Sequence, residues 1–157
     1  MTAMYTALAT TTLSSSASSV TFSSIPQGYR DLMLVFNGEG TGDRFMYINP
    51  NGDTANATAV IMNGSGSSAN SFTLTRINFC GWTSTARSQS ITHIMDYAAT
   101  DKHKTFISRD TESGDRVAAR AFRWASTSAI TSIEIEADQF SMAAGSTFSL
   151  YGIAGGS

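Results

Sequence analysis

Turn signals recur roughly every eight to twelve residues along this chain, and no segment between them sustains the 3.6-residue apolar period of a helix. Spacing of that kind leaves room for about ten short strands, which close only as an all-β antiparallel sandwich or barrel. The clearest single strand lies at 133–137, where Ile133, Ile135 and Ala137 alternate with Glu134 and Glu136. Leu32-Met33-Leu34-Val35-Phe36 is instead a continuous apolar run, as expected of a strand covered on both faces. Further strands are expected at 44–48, 57–62, 72–79, 91–97, 106–109, 116–124 and 147–153. Within 72–79, Phe72, Leu74 and Arg76 point one way and Thr73, Thr75 and Ile77 the other. Val117-Ala118-Ala119-Arg120-Ala121 also has helix propensity, but its setting among strands favours a strand. Asn51-Gly52 supplies the positive φ of a tight turn, and Glu112-Ser113-Gly114-Asp115 reads as a hairpin loop.

The Ser/Thr-rich opening resolves into two strands near 4–13 and 18–24, because Val20 and Phe22 alternate with hydroxyl residues. One sandwich domain over 1–157 is expected, with residues 1–17 as an N-terminal arm or edge strand.

Charge narrows the function. Only 14% of residues are charged, well below the roughly 25% of an average domain. The surface is therefore polar by hydroxyl and amide, which suits packing against neighbours without desolvating many ions. A net charge of −2 excludes a phosphate-neutralising surface and so argues against nucleic acid. Lys102 and Lys104 are the only lysines, and the Arg bias again suits interfaces. Cys80 is alone, so neither an internal disulfide nor a Cys-based zinc site can form, and its apolar neighbours Phe79 and Trp82 suit a buried thiol. No run is long enough to span a membrane as a helix. The first basic residue is Arg30, so no signal-peptide start is read and folding in a reducing cytosol is expected.

Searches for chemistry come back empty. Gly64-Ser65-Gly66-Ser67-Ser68-Ala69 matches the dinucleotide fingerprint in letters, but a strand follows it where the phosphate site needs a helix N-terminus. A triad of Asp96, His93 or His103 and one of many serines costs no coincidence and carries no signal. His93 reads as a packed strand histidine and His103 as a solvated loop residue. Glu134 and Glu136 read as a solvated strand face rather than a glycosidase pair. Asp110, Glu112 and Asp115, interleaved with Arg109 and Arg116, read as surface ion pairs of little weight. The Asn49-Pro50-Asn51-Gly52-Asp53 turn lacks calcium-loop spacing. No enzyme, cofactor or metal is expected.

Aromatic residues offer more. Trp82 sits in a polar, loop-like stretch near Arg87, where it either anchors a partner or sugar ring or caps the core. Trp124 follows Phe122 on one strand face and reads as core.

Several segments together resemble a family of small β-sandwich structural proteins of tailed bacteriophages, common among phages of cyanobacteria and marine bacteria. They are Leu8-Ala9-Thr10-Thr11-Thr12-Leu13, Ser19-Val20-Thr21-Phe22, Ile25-Pro26-Gln27-Gly28-Tyr29-Arg30-Asp31-Leu32, Met95-Asp96-Tyr97, Trp124 with Ala129-Ile130, and Gly145-Ser146 with Phe148-Ser149-Leu150-Tyr151-Gly152-Ile153. The resemblance spans most of the chain except the loops around 38–70. It implies a jelly-roll-like sandwich used as a virion part made in the host cytoplasm. A capsid decoration (cement) protein, trimeric and clamping major capsid subunits, is the first expectation. A tail-associated module binding another tail protein or a host surface glycan is the alternative, and the lack of a stalk or coiled-coil heptads favours decoration. Tyr5, Leu8, Trp82 and Arg87 are the candidate interface residues, and the N-terminal segment is the candidate intersubunit element.

Overall fold

The computed structural model describes residues 4–42, 44–83, 86–111 and 116–155, with the side chains of 81–83 outside that description. Twelve strands run in chain order: β1 (Tyr5–Thr12), β2 (Ser19–Phe22), β3 (Asp31–Gly38), β4 (Arg44–Pro50), β5 (Ala57–Ser65), β6 (Ser68–Leu74), β7 (Ile77–Thr83), β8 (Ser88–Met95), β9 (Lys104–Thr111), β10 (Val117–Trp124), β11 (Ile133–Ala137) and β12 (Thr147–Ile153). They form an eight-stranded sheet, β1-β12-β3-β8-β9-β10-β5-β6, and a four-stranded sheet, β2-β11-β4-β7. All pairings are antiparallel. The fold is the all-β sandwich that the turn spacing implies.

One core fills the space between the sheets. Leu32, Leu34, Phe36, Phe106, Phe122, Trp124, Phe148 and Leu150 enter it from the large sheet. Val20, Phe22, Met46, Ile48, Ile77, Phe79, Ile133 and Ile135 meet them from the small one. Phe36 packs edge-on to Phe79, with ring centroids 6.4 Å apart, and lies 5.0 Å from Phe148. Of the 116–124 segment, Val117–Trp124 is strand, and burial alternates strictly along it, placing Ala118, Arg120, Phe122 and Trp124 inward.

The strand expected at 72–79 is two strands in different sheets. β6 ends at Leu74 and β7 begins at Ile77, and Thr75-Arg76 carries the chain across. Arg76 fixes that crossing: its guanidinium lies 3.8 Å over the Tyr47 ring and donates to Glu136 at 2.6 Å and Asn49 at 3.1 Å. The Gly64–Ala69 stretch is mostly strand too, with Ser65 paired to Ser68 across a Gly66-Ser67 tip. Asn51 (φ 52°) and Gly52 (φ 74°) adopt the left-handed geometry expected of the Asn-Gly turn. The 112–115 loop lies outside the described residues.

Candidate functional site

Two outward faces are available for contact, and they differ in chemistry. On the four-stranded sheet the charges are tied to one another. Asn49 donates to Glu136 at 2.7 Å and to Glu134 at 3.2 Å, and Arg76 completes the cluster. Burial raises the Glu136 pKa, but the Asn49 and Arg76 hydrogen bonds outweigh it and hold the carboxyl below its usual range. A carboxylate kept ionised is unsuited to the general-acid role that glycoside hydrolysis requires. Glu134 and Glu136 thus form a half-buried network with Asn49 and Arg76, rather than the solvated face expected.

The eight-stranded sheet turns a different face outward. Strand register aligns Met33, His93, Ile107, Ala121, Val60 and Thr73 in one row across six strands. The next row is Val35, Ile91, Arg109, Ala119, Met62 and Ser71. Val60, Met62, Ile107 and Val117 are each exposed by half or more (50%, 57%, 52% and 60%). Ala119 and Ala121 floor a trough along β10 between the larger side chains of β9 and β5, and a depression lined by Met62, Ala69, Ser71, Val117 and Ala119 opens at its β6 side. Among the described residues, Arg109 on β9 and Arg123 on β10 are exposed cations of this face. The carboxylate it carries among the described residues is Asp31, at one end and 3% exposed. Ile107, Val117, Val60 and Met62 thus stand exposed on three adjacent strands of one face, β9, β10 and β5.

His93 stands on the same face, but its carboxylate partner is Asp31, not Asp96. Its Nε2 lies 3.1 Å from Asp31 Oδ2, which also accepts from Arg30 Nε at 2.9 Å, while the Asp96 backbone N–H donates to Oδ1 at 2.9 Å. Burial pushes the Asp31 pKa up, yet the Asp96 N–H, Arg30 and His93 together hold it below the usual range. The residues directly opposite His93 on the adjoining strands are Met33 and Ile107, neither of them a nucleophile. Asp96 instead follows β8 at positive φ (47°) and takes a 3.3 Å contact from Lys102.

The reading of Asp110 as a surface ion pair is wrong. Asp110 faces inward from β9, and its carboxylate accepts from Arg120 Nε at 2.8 Å and Nη2 at 2.9 Å, both side chains being fully buried. Arg120 Nη1 also donates to Asn78 Oδ1 at 3.0 Å, tying β10 to β7 of the other sheet. Beside it, Ser90 and Ser108 both donate to the Phe79 carbonyl, at 2.9 and 2.7 Å, next to the irregular β4–β7 register. The Asp110 and Arg120 side chains are buried and tie the two sheets together, and a depression lined by Ser90, Ile91, Arg109, Asp110, Thr111 and Val117 lies beside them.

The candidate interface residues scatter. Tyr5 is 52% exposed on β1, which pairs with β12 alone and so forms a sheet edge. Leu8 is spent on the protein's own core, against which it packs half-buried. Arg87 is exposed. Trp82 belongs to β7 rather than to a loop, and its side chain lies outside the described residues. Cys80 and Trp124 are buried, as their surroundings suggested, and Trp124 donates to Asp53 at 2.8 Å. Sequence reading missed the apolar outer face altogether.

No known protein-family description matches the chain, and no curated protein does. Among solved structures it is similar to the alginate lyase Aly36B at a TM-score of 0.34 and 12% identity, over 92% of this chain and 77% of that one. A mutant of that lyase with bound alginate tetrasaccharide gives 0.30 and 9%, over 82% and 72%. Likeness at this level carries no argument for the reaction or the partner of this chain.

Proposed function

We propose that the chain is a structural module of a tailed-phage virion, a capsid decoration protein that works through protein contacts and catalyses nothing. The apolar outer face of the eight-stranded sheet carries this reading. Val60, Met62, Ile107 and Val117 gain nothing from water, and a partner covering them removes that apolar area from it. The resemblance of the sequence segments to phage structural proteins supplies the setting. The low charge and Arg-rich basic residues suit such a contact.

Purified particles test the proposal. Quantitative mass spectrometry should find the chain in copy numbers that scale with the capsid subunits, with its density on the shell. Copies confined to the tail would replace decoration by the tail-associated reading. Turnover of alginate or another polysaccharide by the purified chain, lost in His93→Ala, would overturn the non-enzymatic reading.

A further inference from the structure

We infer that the outer face of the eight-stranded sheet is the contact between two copies of this chain, packed sheet on sheet about a two-fold axis running along the strands between β5 and β10. The inference rests on the proposed function only in taking that face as a contact surface. An apolar face requires an apolar complement. Of the seven large hydrophobic side chains exposed among the described residues, Val60, Met62, Met95, Ile107 and Val117 lie on this face, while Met4 and Tyr5 lie at the β1 end. The chain's own surface with the apolar area to cover this face is therefore the same face on a second copy, which makes the contact isologous.

Charge and relief fix where the axis lies. An axis between β5 and β10 seats the β5 ridge of each copy over the β10 trough of the other. Val60 then meets Ala121, Met62 meets Ala119, and β9 lies over β6. Arg109 consequently faces Ser71, a hydroxyl acceptor, and Ile107 faces Thr73. The two Arg109 residues end up three strand spacings apart, ~14 Å, at opposite margins of the four-strand footprint. An axis between β9 and β10 would instead set them about one strand spacing apart (~5 Å) within a desolvated contact. Four strands and four side-chain rows give a planar footprint of roughly 500 Å² per copy, so the pair reaches the ~1,000 Å² that a specific interface needs before side-chain relief is counted. Two copies, rather than the three expected from the resemblance, follow from this geometry.

Sedimentation velocity over a concentration series tests it on the full chain. Wild type should sediment as twice 16.7 kDa, with dissociation into monomers on dilution. Met62→Glu should weaken the dimer at least ~30-fold, as loss of a central anchor does. Ser71→Asp should tighten it and Ser71→Arg loosen it, because each faces the partner's Arg109 while sitting ~14 Å from its own. Thr21→Glu, exposed on the opposite sheet, should change nothing. Far-UV circular dichroism confirms that each variant is folded. A wild-type monomer at the highest soluble concentration, a trimer, or a dimer indifferent to both Ser71 variants would each overturn the inference. A monomer whose Met62→Glu variant no longer attaches to particles would sink the two-fold pairing while leaving the proposed function standing.

Discussion

Breaking the Asp110–Arg120 pair tests whether it behaves as a buried ion pair. Asp110→Ala leaves a guanidinium fully enclosed, with Asn78 Oδ1 at 3.0 Å still accepting from it. Removing one member of such a pair costs ~3–5 kcal/mol, since the remaining charge keeps its desolvation penalty and loses its counterion. For a chain of 157 residues each kcal/mol shifts Tm by ~2–4 °C, so the melt should fall by ~6–20 °C. Arg120→Met should cost a similar amount, because it strands the carboxylate. The double variant Asp110→Ala/Arg120→Met removes both charges of the pair and leaves Asn78 Oδ1 without its Arg120 donor, a cost of ~1–3 kcal/mol. The singles should therefore overshoot the double, with a coupling energy of about 3 kcal/mol or more. Urea denaturation followed by tryptophan fluorescence measures all four corners of the cycle. An Asp110→Ala loss below ~1 kcal/mol, additive with Arg120→Met, is the behaviour of an exposed pair and would refute the enclosed geometry.

Gly152→Ala should destabilise by ~1–3 kcal/mol, since a Cβ there would stand 2.5 Å from the Tyr29 ring; a urea midpoint matching wild type would show that Tyr29 moves aside freely. Asp31 has a folded pKa below its unfolded value of ~3.9, so its contribution is complete above about pH 5 and disappears as pH falls through the folded value. Asp31→Asn should accordingly cost ~1–2 kcal/mol at pH 7 and flatten the acid limb of the stability profile, and an unchanged limb would contradict the role given to the Arg30, His93 and Asp96 hydrogen bonds.

Strands were legible wherever a one-residue rule decides them. Alternation in β11 identifies its inner Ile133 and Ile135, and Asn51-Gly52 marks its own turn. What depends on register was not legible. Asp110 and Arg120 lie ten residues apart and meet only because β9 and β10 place Ala118 opposite Asp110 and Arg120 opposite Ser108, a diagonal on the inner face. A sequence window sees acids and arginines around a turn and reads solvent. The break at Thr75-Arg76 escaped for a related reason: Tyr47, Asn49 and Glu136, which hold Arg76, come from two strands of the other sheet.

The outer face escaped for a reason that bears on function. Half-buried antiparallel strands show apolar residues inward and polar ones outward, and β11 obeys with Glu134 and Glu136 outside. In β5 the rule fails, because Ala59 and Ile61 point inward while Val60 and Met62 point out, so the run 59–62 has no polar beat. From the sequence that run is indistinguishable from a strand covered on both sides. In the folded chain it is covered on one. The same departure at Ile107 on β9 and at Val117, Ala119 and Ala121 on β10 falls on adjacent strands, so the exceptions gather in one patch instead of scattering over the surface. Scattered exposed hydrophobics need no explanation, but adjacent ones that break the local pattern together are where a chain gives up local consistency for contact. On the opposite sheet Arg76, Asn49 and Glu136 are hydrogen-bonded to one another within the chain. The proposed assembly through the larger sheet rests on that difference: one outer face carries charges bonded to one another, the other carries Val60, Met62, Ile107 and Val117 exposed on adjacent strands.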